Sequence, residues 1–276
     1  MIEQSIAPLL LALAKQPEAV EPLQQLVANY LALKQSDKAI IKLRELTDKQ
    51  PKHFYAYFLL GEVYARTKQF NEAIATYQKA SHLKGEWPLP YHGLAVAYLA
   101  LKRDQAAIDS LREGLVNTHQ SLDLVADLAA LYRQLGQTEN AIKLYDELHN
   151  KNPQSTIVLQ RYVQLLNETA KSDADLAKAA QLAEPLAQSN DTLALDTAAW
   201  VAYHQTAYQK AQDLLKKFLN LNPAFVLANY HLGMVYFKKG DAVHAREFLN
   251  KAVDAHQDFA GLNEAKATLQ ELAKSK

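Results

Sequence analysis

The 276-residue chain contains no cysteine. Disulfide frameworks, thiolate metal sites and thiol nucleophiles are thereby excluded. The absence suits cytoplasm and bacterial periplasm equally, so the compartment of this soluble chain stays open. Glycine and proline number only 8 and 9, few of the residues that punctuate strands and loops, which favours helices. Neither charge sign prevails, with Lys+Arg and Asp+Glu both at 30. No basic face for neutralising phosphates is expected, so nucleic acid is not an expected partner. Long apolar runs are also missing. The run around Ile6, Leu9, Leu10 and Ala12 to Ala14 is too short to span a bilayer, so no direct membrane insertion is expected. Within it LALAKQ looks like a signal-peptide cleavage site, but the start MIEQS carries an acid and no Lys or Arg. A terminal helix that packs on the first helical pair of the chain is the better reading. Pro8 is tolerable there if the helix begins near Ser5, because first-turn amides have no partners to lose.

What is present is a period. At the start of the stretch Leu128 to Pro153 and just before it, Val125, Leu128, Ala129 and Tyr132 mark one face of a helix. Gly136 can adopt a positive φ and end it. Ala141, Tyr145 and Leu148 mark a second helix, and Pro153 stops it. Neither helix is long enough to be stable alone, so the unit must stack on copies of itself. The copies exist. Tyr30, Tyr64, Tyr98 and Tyr132 stand 34 residues apart, as do Ala39, Ala73, Ala107 and Ala141. Pro17, Pro51 and Pro153 share the grid, and Ala211, Pro223, Tyr236 and Ala245 resume it after a two-residue slip.

A 34-residue period with a small residue near position eight, Tyr at eleven, Ala at twenty and Pro at thirty-two resembles the tetratricopeptide repeat. The resemblance implies an all-α, right-handed superhelical solenoid of about seven repeats, with capping helices at both ends. An array of this kind is expected to have no internal domain boundary. The predicted segments are an N-terminal helix over 1–19, repeats at 20–53, 54–87, 88–121, 122–155, 156–191, 192–225 and 226–259, and a C-terminal helix over 260–276. Gly61, Ala95, Ala129 and Gly233 should sit where the two helices of a repeat cross, and Ala73, Ala107, Ala141 and Ala245 where the next helix approaches. The tyrosine at position eleven should bury its ring and need a hydroxyl partner.

Repeat five is irregular. ETAKSDAD carries about four extra residues before Ala179, Ala183 and Leu186, and reads as a long turn at 169–175. Pro185 falls inside its second helix. The closing stripe Leu262, Ala265, Leu269 and Leu272, ending in AKSK, reads as a polar-backed cap that argues against end-to-end self-assembly.

Chemistry is not indicated. Nine histidines carry no metal-ligand spacing, and no phosphate-cradling glycine loop or nucleophile motif occurs. Only His204 and His231 could both face one groove. No catalytic, metal or cofactor-binding residue is assigned, and no enzyme activity is expected.

The resemblance implies a concave groove lined by positions two, five, nine and twelve of each first helix. The Lys and Asn clamp of chaperone-binding family members is missing. Positions five and nine are Gln24 and Ala28, Phe58 and Glu62, His92 and Val96, Ala126 and Ala130, Gln160 and Gln164, Asp196 and Trp200, Tyr230 and Met234. One apolar stretch comprises Tyr55, Phe58, Leu89, Val96 and Leu99. A polar stretch comes next, with Asp123, Asp127, Arg133, Gln160, Arg161, Gln164 and Asn167. A second apolar, aromatic stretch comprises Leu193, Trp200, Tyr203, Leu227, Tyr230, Met234 and Phe237. These rings either bind a partner or pack between repeats, and exposed apolar patches of this size mark interfaces. On this reading Trp200 and Phe237 can be truncated without loss of stability.

The expected role is a non-catalytic scaffold or adaptor, monomeric, that holds an apolar or aromatic protein segment or partner domain in the groove. The last repeat also resembles the closing repeat of bacterial proteins that scaffold envelope assembly and polysaccharide export. Two alternatives stand beside it: a repeat domain positioning the catalytic part of a larger enzyme or secretion protein, and a self-assembling structural solenoid.

Overall fold

The computed structural model describes residues 2–274; Met1, Ser275 and Lys276, which belong to the expected terminal helices, lie outside the described residues. A 3-10 turn at Glu3–Ser5 leads into α1, Ile6–Lys15, which places Pro8 in the first helical turn. The helices then come in pairs. They are α2 (Val20–Ala32) and α3 (Ser36–Lys49), α4 (Phe54–Arg66) and α5 (Phe70–Leu83), and α6 (Leu89–Ala100) and α7 (Asp104–Asn117). Next are α8 (Leu122–Gln134) and α9 (Thr138–Lys151), and α10 (Thr156–Thr169) and α11 (Asp173–Ala187). The last pairs are α12 (Thr192–His204) with α13 (Tyr208–Leu221), and α14 (Val226–Lys238) with α15 (Ala242–Val253), before the closing α16 (Leu262–Lys274). The fold is an all-α solenoid of helix–turn–helix repeats, with no strand among the described residues. No helix among them is long and apolar enough to cross a membrane.

The chain divides into two compact units, residues 1–137 and 138–276. The boundary falls in the turn between α8 and α9, inside the most regular repeat of the sequence. Periodicity reports that each helix has an apolar face, but not how contacts are shared among successive helices.

The turn inside six of the seven pairs, all but α10–α11, uses one device. Lys34, Lys68, Lys102, Gly136, Thr206 and Gly240 all have positive φ, between 57° and 79°. The next amide donates back to the carbonyl five residues before it: Gln35 to Tyr30, Gln69 to Tyr64, Arg103 to Tyr98, Gln137 to Tyr132, Ala207 to Ala202 and Asp241 to Tyr236, at 2.7–3.0 Å. This closure satisfies carbonyls that the helix end leaves unpaired. Only two of the six positions carry glycine.

Packing follows the repeat grid. Ala39, Ala73, Ala107, Ala141, Ala211 and Ala245 are fully buried. A methyl group on Gly61 or on Gly93 would lie 2.6 Å from the ring of Tyr77, so the tyrosine of α5 fills space that both glycines vacate. The position-eleven tyrosines find partners from the preceding second helix, 20 residues back. Arg44 Nε donates to the Tyr64 hydroxyl at 2.8 Å and Gln78 Nε2 to that of Tyr98 at 3.3 Å. Arg112 and Lys216 lie over the rings of Tyr132 and Tyr236.

Repeat five differs from the sequence expectation. Only Ala170 to Ser172 separate α10 from α11, so most of the insertion is helical and not an extended turn. Ser172 caps α11, its Oγ accepting from the amide of Asp175 at 3.2 Å, while the Asp175 carboxylate accepts from the amide of Lys171 at 3.0 Å. The cap extends α11 toward its N-terminus. The packing alanine consequently becomes Ala179, fully buried, in the second turn of α11 instead of the first.

Candidate binding site

In the unit formed by residues 138–276, the first helices α10, α12 and α14 and the terminal α16 border a cavity of about 430 Å³. Its apolar side is Leu193, Trp200, Leu227 and Tyr230, and its polar side includes Gln160, Gln164, Asn167, Glu168, Asp196, His231 and Glu264. A volume of this order suits a small ligand or a few side chains of a peptide.

A buried polar pair is part of the cavity lining. Nδ1 of His231 lies 2.7 Å from Oδ1 of Asp196, with both residues under a tenth exposed. A carboxylate can only accept here, which assigns the ring proton to Nδ1. Trp200 stacks on the His231 ring at 3.9 Å and on Tyr203 at 4.5 Å. His204 Nδ1 meets Asn167 Oδ1 at 3.0 Å, and burial, followed by the neighbouring His231, lowers the His204 pKa. Burial pushes the Tyr203 hydroxyl up to about 12. Burial and then Glu264 raise the Tyr230 hydroxyl well above its ordinary range, so it donates to Glu264 Oε2, at 2.6 Å.

The sequence-derived groove residues divide by burial. Trp200, Leu227 and Tyr230 line the cavity. Tyr203 and Met234 do not; both are buried in the core that packs α12 to α16. Met234 is 2% exposed, and its sulfur faces the Thr268 hydroxyl at 3.7 Å. Tyr230 is equally buried, presenting only an edge to the cavity. Phe237 is half-buried against the same core, and Arg161 is half-buried on α10. The face shared by position nine of α14 is therefore covered by α16, and groove and core are not separable by mutation as the helix pattern alone suggests.

Phe58, Leu89, Val96 and Leu99 lie in the other unit, residues 1–137. Phe58 packs into an aromatic cluster, 4.7 Å from Trp87 and 6.0 Å from Tyr55. Leu89 and Val96 are 47% and 46% exposed, and Leu99 is half-buried. Beside them His92 Nδ1 lies 2.7 Å from Asp127 Oδ2, a hydrogen bond that raises the His92 pKa despite partial burial.

Five lining residues escaped the sequence reading: Glu168, Thr197, Ala260, Gly261 and Glu264. The signal for Glu264 was present. It lies 34 residues after Tyr230, as Thr268 lies 34 after Met234, so α16 continues the grid as an eighth first helix. Gly261 has φ +99°, and a methyl there would lie 2.3 Å from the Tyr230 ring. Glycine is required by backbone and by space.

Family models described as tetratricopeptide repeat match residues 25–84, 122–165 and 202–269, together more than half of the chain. The chain belongs to the tetratricopeptide repeat family. Proteins of the tetratricopeptide repeat family serve in general as non-catalytic scaffolds that bind protein or peptide partners. No curated protein matches the sequence. Among solved structures, yeast Tom70 is similar with TM-score 0.58 and 16% identity, over 99% of this chain and 58% of that one. A tetratricopeptide repeat protein from Parabacteroides merdae ATCC 43184 is similar with TM-score 0.55 and 15% identity, over 92% and 98%. A chain of the APC/C hetero-tetramer Cut9–Hcn1 gives TM-score 0.53 and 16% identity, over 98% and 52%. At these identities the likeness is one of fold.

Proposed function

We propose that this tetratricopeptide repeat protein is a scaffold that holds an extended or helical segment of a partner protein against α10, α12 and α14. The observation that carries this is the cavity itself: apolar Leu193, Trp200, Leu227 and Tyr230, together with amides and carboxylates, line a space of about 430 Å³. Mixed walls of this kind bury apolar side chains while satisfying a partner's backbone. Leu193, 48% exposed, stands at the rim where a partner would first make contact. The test is a displayed peptide library selected on the intact protein. Enriched peptides should lose binding to Leu193→Glu and keep it to Val243→Glu, a change on the exposed face of α15. Peptides that bind all three proteins alike would overturn the reading.

A further inference from the structure

Ile157, Leu193 and Leu227 are each the second residue of their helix, α10, α12 and α14. Ile157 and Leu193 are exposed, and Leu227 is half-buried. Because α12 packs against both α10 and α14, the three form an apolar row that crosses neighbouring helices at one level. The row runs into the cavity, which Leu193 and Leu227 line. Packed helices lie about 8–10 Å apart, so the row offers one apolar foothold about every 9 Å.

That step selects the conformation of the occupant. A β-strand returns to one face at every second residue, about 7 Å on. An α-helix returns after about seven residues, about 10.5 Å on, but measures about 10–12 Å across with its side chains. It is too thick to enter a space of about 430 Å³. A polyproline II chain has about three residues per turn and rises about 3.1 Å per residue, so every third side chain falls on one face, about 9 Å from the last.

The polar lining is a second, independent observation. A polyproline II chain makes no hydrogen bonds of its own, so its carbonyls need partners wherever water is displaced. Gln160 lines the cavity and has no hydrogen-bond partner among the described residues. Asn167 lines it too, engages His204 through Oδ1, and keeps its Nδ2 donor. These groups are neutral. The carboxylates beside them are already engaged: Asp196 by His231, Glu264 by Tyr230 and Glu168 by Gln164.

Resting on the scaffold reading, we infer that the segment held here is proline-rich, in the polyproline II conformation, with an apolar side chain at every third position. Successive apolar side chains seat on Ile157, Leu193 and Leu227, and carbonyls of the segment accept from Gln160 and Asn167. Proline at the intervening positions sets the conformation before binding and removes backbone N–H groups that the cavity would otherwise have to pair.

The test uses three fluorescein-labelled peptides of one composition, three leucines and six prolines. They carry leucine at every third position, at every second position, or in one block. A fourth peptide is helical, with leucine at every seventh position. Fluorescence anisotropy should show the every-third peptide binding at least tenfold more tightly than its two isomers and the helical peptide. Ile157→Glu and Leu193→Glu should each weaken it at least tenfold, and Gln160→Ala severalfold. Val243→Glu on α15 and Leu89→Glu in the other unit should leave it unchanged. All five positions are exposed or half-buried, and melting temperatures check that each variant is folded. Equal binding of the three isomers, tighter binding of the helical peptide, or binding indifferent to Ile157→Glu would overturn the inference, as would no binding of any of the four. The peptide library with Leu193→Glu still judges the scaffold reading by itself.

Discussion

Asp196 and His231 stand 35 residues apart in sequence and 2.7 Å apart in space, joining position five of one first helix to position six of the next. The same slot in residues 1–137 joins His92 to Asp127, also 35 apart and 2.7 Å in contact, with the two residue types exchanged. The pairs differ in solvent. Side chains of the first are 6% and 10% exposed, those of the second 54% and 32%.

Burial decides what each pair contributes. His231→Leu leaves the Asp196 carboxylate buried without a partner and should destabilise by about 3–5 kcal/mol. Adding Asp196→Leu should recover part of that loss. His92→Ala should cost about 1 kcal/mol or less, as exposed ion pairs do. Urea denaturation of the variants and the wild type checks the order.

The two perturbed histidines respond to pH with opposite signs. The pKa of His92 is raised above its ordinary 6.5 by its bond to Asp127. Its contribution is therefore fully present below pH 6.5 and is lost as pH rises through the folded value. The pKa of His204 is lowered from 6.5 by burial and then by His231, so the folded state resists its protonation and loses stability as pH falls below 6.5. The melting-temperature gap between wild type and His92→Gln should be wider at pH 5.5 than at pH 8. For His204→Gln the gap should be narrower at pH 5.5. Identical gaps at both pH values would contradict the assignment.

The left-handed turn positions hold removable strain. Lys34, Lys68, Lys102 and Thr206 adopt positive φ without being glycine, at a cost of roughly 1–2 kcal/mol each. Glycine there should raise stability by about 0.5–1 kcal/mol per site after its own entropic cost. Thr206→Gly should gain most, because a branched Cβ tolerates this conformation least. Gly136→Ala and Gly240→Ala should each lose about as much. Thermal melts of single variants suffice.

Trp200 and Leu193 should separate stability from binding where the helix pattern cannot. Trp200 is stacked on both His231 and Tyr203, so Trp200→Ala should cost about 2–4 kcal/mol. Leu193→Glu should leave stability within about 0.5 kcal/mol, as surface changes do.

The added helical turn of α11 rests on its cap. Ser172→Ala should destabilise by about 1 kcal/mol and should speed amide exchange in residues 173–178 before any other part of α11. Unchanged exchange there would mean that the turn is held by packing instead.

The sequence determined the repeating unit. Tyr64, Ala73 and their 34-residue equivalents fix helix faces, and the buried alanines with the tyrosine partners at 20-residue spacing obey that grid. A periodic pattern is local: it records which side of each helix must leave water. What it cannot record is which neighbour covers that side. Met234 and Tyr230 share a face with Leu227, yet α16 covers the first and most of the second while Leu227 stays at the rim. The tertiary structure likewise turned the repeat-five insertion into helix through Ser172, placed the division of the chain after Gln137, and gathered Glu168, Asp196, His231 and Glu264 around one cavity. The cavity and the cover over Met234 depend on contacts between residues far apart in the chain, where burial and charge are set by the assembled helices and not by any single one.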